Sequence, residues 1–263
     1  MGKQKLEAAF ADVLARNEKA FVPYIMAGDG GLAETEKKLR FLESCGATAI
    51  ELGIPFSDPV ADGPTIQAAG LRAFKQGTTV KKVLDHLKAH PRQVPIILMT
   101  YFNPIFAFGM EKFADSCVEA GVAGLIIPDL PLEEEEIIAG ELKKRGLALI
   151  RLAAITSPKD RLKEIAARSE GFLYAVTVTG TTGSRTSFHD NIEAYLAYLS
   201  EISPVPVLAG FGVSKPEHVR HLTNYCAGVV AGSKIIELFR QDDTEAIREL
   251  IASAKQTMAD QKL

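Results

Sequence analysis

With 263 residues, 47% of them hydrophobic and 24% charged, the chain carries enough apolar mass for one large α/β domain or two small ones, which excludes a disordered chain. A net charge of −3 without a basic run argues against nucleic acid as a partner, and no apolar run approaches the ~20 residues that cross a membrane. Three widely spaced cysteines, Cys45, Cys117 and Cys226, make neither a disulfide framework nor a zinc knuckle; buried, inert thiols and a cytoplasmic location are expected.

The first segment, MGKQKLEAAFADVLARN, alternates charged and apolar residues at helical spacing and lacks the apolar stretch of a secretion signal. It reads as an extra helix ahead of the first strand. Short runs rich in Val, Ile, Leu or Ala then recur: FVPYIMAG (21–28), TAIELG (48–53), PIILMTY (95–101), AGLIIPD (123–129), LALIRLA (147–153), FLYAVTV (172–178), PVLAGFG (206–212) and AGVVAGS (227–233). Most are continuously apolar, as strands covered on both faces must be. Charged amphipathic segments of helical length separate them, such as AETEKKLRFLESCG and LEEEEIIAGELKKRG. The second has acids at its start, bases at its end and Gly146 just beyond, the order that a helix dipole and a glycine C-cap favour. Its acidic run, 133–136, reads as a solvated helix start.

Eight β-then-α units without a linker predict a single (β/α)8 barrel, a TIM barrel, over residues 1–263. An open doubly wound sheet is the alternative; no G-x-G-x-x-G follows the first strand and no composition break divides the chain. In such a barrel the loops after the strands carry the chemistry. The stretch ELGIPFSDPVADGP (51–64), with three carboxylates and three prolines, then lies at the catalytic mouth.

The seventh and eighth strands end in AGFGVSKPE (209–217) and VAGSKII (230–236), and the sixth runs into VTGTTGSRTSF (178–188). Glycine where a strand meets a helix lets backbone N–H groups approach an anion, and phosphate sites of this fold often use these loops. A phosphorylated ligand is expected. Glu51 and Asp62, two acids at one mouth, are the candidates to divide acid and base work. Asp58 serves equally well as a turn-former. His86, His90, His218 and His221 fall in charged helical segments and read as surface residues; His189 is ambiguous. No metal-ligand spacing, catalytic triad or Schiff-base lysine stands out, so the chemistry is expected to run on carboxylates, with no metal and no cofactor in this chain.

Taken together, FVPYIMAGD, ELGIPFSDPVADGPTIQ, MTYFNPIFAFG, IIPDLP, TGTTG, GFGVS and AGSKII resemble the tryptophan synthase α-subunit family in order and spacing, over nearly the whole chain. The resemblance implies retro-aldol cleavage of indole-3-glycerol phosphate to indole and glyceraldehyde 3-phosphate, with Glu51 and Asp62 as catalytic carboxylates. It implies phosphate binding by Gly183, Gly212, Gly232 and Ser233, an indole site among Tyr24, Tyr101, Leu152, Tyr174 and Phe211, and Thr182 on a closing loop. It also implies a pyridoxal-phosphate β subunit as partner in an α-β-β-α tetramer, faced by Asp58 and by the loop 103–109 that begins with Asn103. Met26 and Gly30 stand where Thr and Pro are common in the family, and Val178 where some members are basic. Two other readings stay open: a stand-alone lyase that releases free indole, and a non-catalytic barrel that binds a sugar phosphate.

Overall fold

The computed structural model describes residues 2–176, 189–210 and 212–255. Eight parallel strands pair in chain order: β1 (Ala20–Met26), β2 (Ile50–Gly53), β3 (Ile96–Met99), β4 (Val122–Ile126), β5 (Ala148–Ala154), β6 (Leu173–Val176), β7 (Val207–Gly210) and β8 (Gly228–Ala231). Pairing of β1 with β8, from Ala20 opposite Gly228 to Pro23 opposite Ala231, closes the ring and rules out the open sheet. The ladders are mostly shorter than the apolar runs that predicted them. Apolar burial continues past the strand ends, at Ile54, Tyr101 and Ile127, where the chain has left the ladder and builds the mouth.

Continuous apolar runs are explained by two cores. One face of each strand, including Phe21, Ile25, Ile50, Leu52 and Leu98, packs under the helices. The other, including Val22, Ala49, Ile97, Ile150, Leu208 and Val230, fills the barrel. Leu6 and Phe10 of the helix Gly2–Ala15 join this inner core, with the Phe10 ring tilted against that of Phe172, 5.4 Å away, just before β6. The extra N-terminal helix is thus a plug at the end opposite the strand termini.

Three local expectations change. Residues 103–109 are not a loop: Phe102–Phe108 is a helix, because Asp129 Oδ1 accepts the Phe102 N–H at 2.9 Å and Pro104 stays within the first turn, where it costs no bond. The acidic run is not simply solvated. The helix begins at Glu136, while the buried Glu135 accepts bonds from Arg151 (2.7 Å) and Arg168 (3.0 Å), and Glu133 pairs with Arg161. Spacing alone does not reveal arginines that arrive from later elements. Among the cysteines, all free, Cys117 and Cys226 are buried but Cys45 is partly exposed.

Candidate active site

β2 alternates Ile50 outward, Glu51 inward and Leu52 outward. Glu51 stands in register with Tyr24 on β1 and Ile97 on β3, so its carboxyl points into the upper barrel. It is 3% exposed, and no described residue gives it a hydrogen bond or a counter-ion. Burial, and then the nearby charge of Asp62, push its pKa up to about 8.

Asp62 arrives from the loop between β2 and the helix Pro64–Lys75, and that loop is pinned. Asp62 N–H donates to the Pro59 carbonyl at 3.1 Å, Gln67 Nε2 to the Asp62 carbonyl at 2.8 Å, and Ala61 N–H to the Tyr101 hydroxyl oxygen at 3.0 Å. Phe56 lies 5.1 Å from the Tyr101 ring. The three prolines reduce the freedom that this segment would otherwise lose on ordering. Burial pushes the Asp62 pKa up to about 6, and the Tyr101 hydroxyl beside it holds it from rising further. Asp62 Oδ1 is buried without a hydrogen-bond partner.

Two glycines admit the tyrosines that crowd these acids. A Cβ on Gly53 would stand 2.0 Å from the Tyr24 hydroxyl oxygen, and one on Gly210 would stand 1.9 Å from Tyr174 Cε1. Both rings therefore lie across positions where any side chain would collide. Burial and then the two carboxylates raise both phenol pKa values well above their usual range. The tyrosines remain neutral.

Tyr24, Glu51, Asp62 and Tyr174 open on a cavity of about 290 Å³. Its walls are apolar: Ile66, Met99, Ile126, Leu152, Val176 and Val230. A further part is built by Gly212, Gly232, Ser233 and Lys234, where β7 and β8 hand over to the chain beyond. Gly212 has φ +83°, a conformation strained for any side chain, and a Cβ there would meet nothing within 4 Å. Ser233 opens the helix Ser233–Arg240, with Gly232 as its N-cap.

Of the residues predicted for the site, eight line this cavity: Tyr24, Glu51, Asp62, Leu152, Tyr174, Gly212, Gly232 and Ser233. Tyr101 does not; it stands behind the acidic loop and fixes it. Thr182, Gly183 and Phe211, like Val178, lie outside the described residues. Asp58 and Asn103 are exposed, on the segments after β2 and β3. Sequence reasoning missed the apolar wall, although inward parity pointed to part of it: Met99 is two residues past Ile97, and Val176 two past Tyr174. It also missed Lys234, which follows Ser233 directly.

Away from the mouth, Glu36, His86 and His90 bring possible ligand atoms within 4.8 Å of one another. The Glu36 carboxylate is already taken, by Arg40 Nε at 2.7 Å and by Arg92. These arginines outweigh partial burial and hold its pKa at about 2. Of the histidines expected on the surface, His86 and His90 are half-buried in this charge network, whereas His218 and His221 are exposed.

Fold and site together define a (β/α)8 barrel of the enzyme type, with two carboxyls at one part of an apolar cavity and a glycine-rich turn at a helix start at another. The tryptophan synthase alpha chain family matches residues 10–262. The alpha chain of Oceanobacillus iheyensis is 54% identical over 253 residues, covering 95% of this chain and 97% of its own length; that of Bacillus cereus is 50% identical over 258, covering 97% and 98%. The crystal structure of the alpha chain from Legionella pneumophila superposes with a TM-score of 0.85 at 30% identity, covering 95% of this chain and 97% of that one. The chain belongs to the tryptophan synthase alpha chain family. It is a carbon–carbon lyase of tryptophan biosynthesis, the subunit that cleaves indole-3-glycerol phosphate, and its family partner is a β subunit.

Proposed function

We propose that Glu51 and Asp62 divide the retro-aldol cleavage of indole-3-glycerol phosphate between them. The carbon–carbon bond to be broken joins ring carbon 3 to the hydroxyl-bearing carbon of the glycerol chain, and direct cleavage would leave a poor carbanion. Protonated Glu51 gives its proton to ring carbon 3, and the ring becomes an electron-accepting iminium. Ionised Asp62 accepts the ring N–H and stabilises the positive nitrogen. The carboxylate left on Glu51 then takes the side-chain hydroxyl proton. The carbon–oxygen double bond forms, the carbon–carbon bond breaks, and its electron pair returns to the ring. Indole and glyceraldehyde 3-phosphate result, and Glu51 is protonated again.

One observation carries this assignment. Three described carboxylates are buried, Asp29, Glu51 and Glu135. Arg72 holds Asp29 bidentately (2.6 and 2.7 Å), and two arginines hold Glu135. Glu51 alone has no cation among the described residues, and it faces the cavity. A buried acid without a partner keeps its proton near neutral pH, while the neighbouring Asp62 loses its own earlier, so acid and base roles are separated by environment.

The apolar walls suit an uncharged bicycle, and the turns at Gly212 and Gly232–Ser233 suit its phosphate. Pyridoxal phosphate belongs, in this reading, to the β partner in an α-β-β-α tetramer, and the assembly is cytoplasmic. Asp58 and Asn103 face that partner; Val60 (82% exposed) and Phe106 (61% exposed) on the same two segments support a contact surface. Among the described residues no helix is long and apolar enough to cross a membrane. Indole release from indole-3-glycerol phosphate, measured with and without a β subunit, tests the proposal. Release in neither case would overturn it.

A further inference from the structure

The cavity contains an imbalance of charge. Its described lining includes two carboxylate-bearing residues, Glu51 and Asp62, and a single cationic residue, Lys234. A phosphate ester entering this space meets the negative charge of Asp62 within a small, largely apolar volume. Backbone N–H groups at Gly232 and Ser233 offer dipoles but no net charge.

Lys234 is also poorly placed for its own helix. It lies in the first turn of Ser233–Arg240, where a cation opposes the helix dipole. That turn contains no acidic residue to offset it, and Lys234 makes no hydrogen bond or ion pair with a described group. A half-buried lysine at the unfavourable helix end, unpaired and lining the cavity, breaks a local rule without a structural return. Such breaches gather at functional sites. An anion at the same helix end reverses the sign: lysine, amides and dipole then act together.

We propose that Lys234 is a substrate-binding residue, whose ammonium donates to the phosphate of the substrate alongside the backbone of Gly212, Gly232 and Ser233. The proposal rests on the reading above that this part of the cavity holds the phosphate. It adds a charged contact to what would otherwise be backbone recognition, and it orients the ester with its ring towards Glu51 and Asp62.

The test compares the parent with Lys234→Gln, Lys234→Met and Lys234→Arg. Two unreactive probes separate the parts of the site: indole-3-propyl phosphate and indole-3-propanol, which differ only in the phosphate. Losing a charge-assisted bond should weaken phosphate binding about tenfold to a hundredfold in both neutral variants, measured by calorimetry. KM for indole-3-glycerol phosphate should rise in step, kcat should change less, and indole-3-propanol should bind all proteins within about twofold. Lys234→Arg should recover most of the affinity. Unchanged phosphate affinity in the neutral variants, with a parent that still cleaves the substrate, overturns the role of Lys234 and leaves the catalytic reading intact. Equal weakening of both probes overturns it too, because the lysine would then shape the cavity rather than bind phosphate. A parent that binds the propanol but gains nothing from the phosphate overturns the underlying phosphate assignment.

Discussion

Replacing Glu51 by Gln removes one titration and almost no volume, so its effect on stability as a function of pH isolates the burial of that acid. The unfolded chain ionises Glu51 near 4.5; the native chain holds the proton until about 8. Between those values the native state binds more protons than the unfolded state, and linkage makes stability fall as pH rises. The contribution is fully present below about 4.5 and is lost by about 8. At ~1.4 kcal/mol per pH unit, the parent should lose on the order of 3 kcal/mol from this group by pH 7. Glu51→Gln escapes that loss. Its stability relative to the parent should therefore grow from pH 5 to pH 8, and a chain of this size should show the gain as roughly 5–10 °C in melting temperature. Thermal or urea unfolding of both proteins at pH 5, 6.5 and 8 measures it. Indole release should meanwhile drop about 10²–10⁴-fold, with binding of an unreactive analogue kept within roughly tenfold. A stability difference that does not vary with pH would refute the buried, cation-free account of Glu51. Turnover within tenfold of the parent would make the residue a structural rim acid.

If protonated Glu51 and ionised Asp62 form the active pair, kcat/KM should rise through about pH 6 and fall through about pH 8, and Asp62→Asn should lose the acidic limb with most of the rate. A rate flat from pH 5 to 9 would remove this division of labour. Gly212→Val places a β-branched residue at φ +83°, so its amide must withdraw or the backbone must strain; binding of phosphorylated ligands should weaken in a protein whose circular dichroism is unchanged, and an unaltered KM would count against this amide. Asp58→Ala should reduce the stimulation of indole release by a β subunit more than it reduces basal release, and undiminished stimulation would return Asp58 to the role of turn-former.

The ring of strands was legible because each strand is buried on both faces, and two-sided burial writes itself as an unbroken apolar run. For the same reason the run could not mark where each strand ends: Ile54, Tyr101 and Ile127 are as buried as their ladder-bonded neighbours. Glu51 was legible as the one acid inside such a run, and Asp62 through the proline-rich segment that carries it. Tyr101 was placed in the indole site by the family resemblance, whereas here its hydroxyl holds Ala61 and Asp62. Glu135 misled more thoroughly. Within four consecutive glutamates nothing distinguishes the one that turns inward, because its partners Arg151 and Arg168 come from later elements. Lys234 was hidden by its neighbours, since a lysine at the start of a helix is unremarkable until the cavity beside it is seen.

Among the described residues, the one buried acid without a cation lies at the barrel mouth. Asp29 and Glu135 show that the fold can supply arginines to buried acids, with short bonds to each carboxylate. At the barrel mouth the described residues supply none. Glu51 keeps its proton instead, Asp62 Oδ1 has no donor, and Lys234 faces its own helix dipole without a carboxylate. Each arrangement costs stability in the empty protein, and under the proposed function each is relieved by a different part of the substrate: the ring carbon and hydroxyl that exchange protons with Glu51, the ring N–H at Asp62, and the phosphate at Lys234. On that proposal a ligand that lacks any of these parts leaves one group unsatisfied, so the same three residues act as a filter for the substrate as well as the means of breaking it.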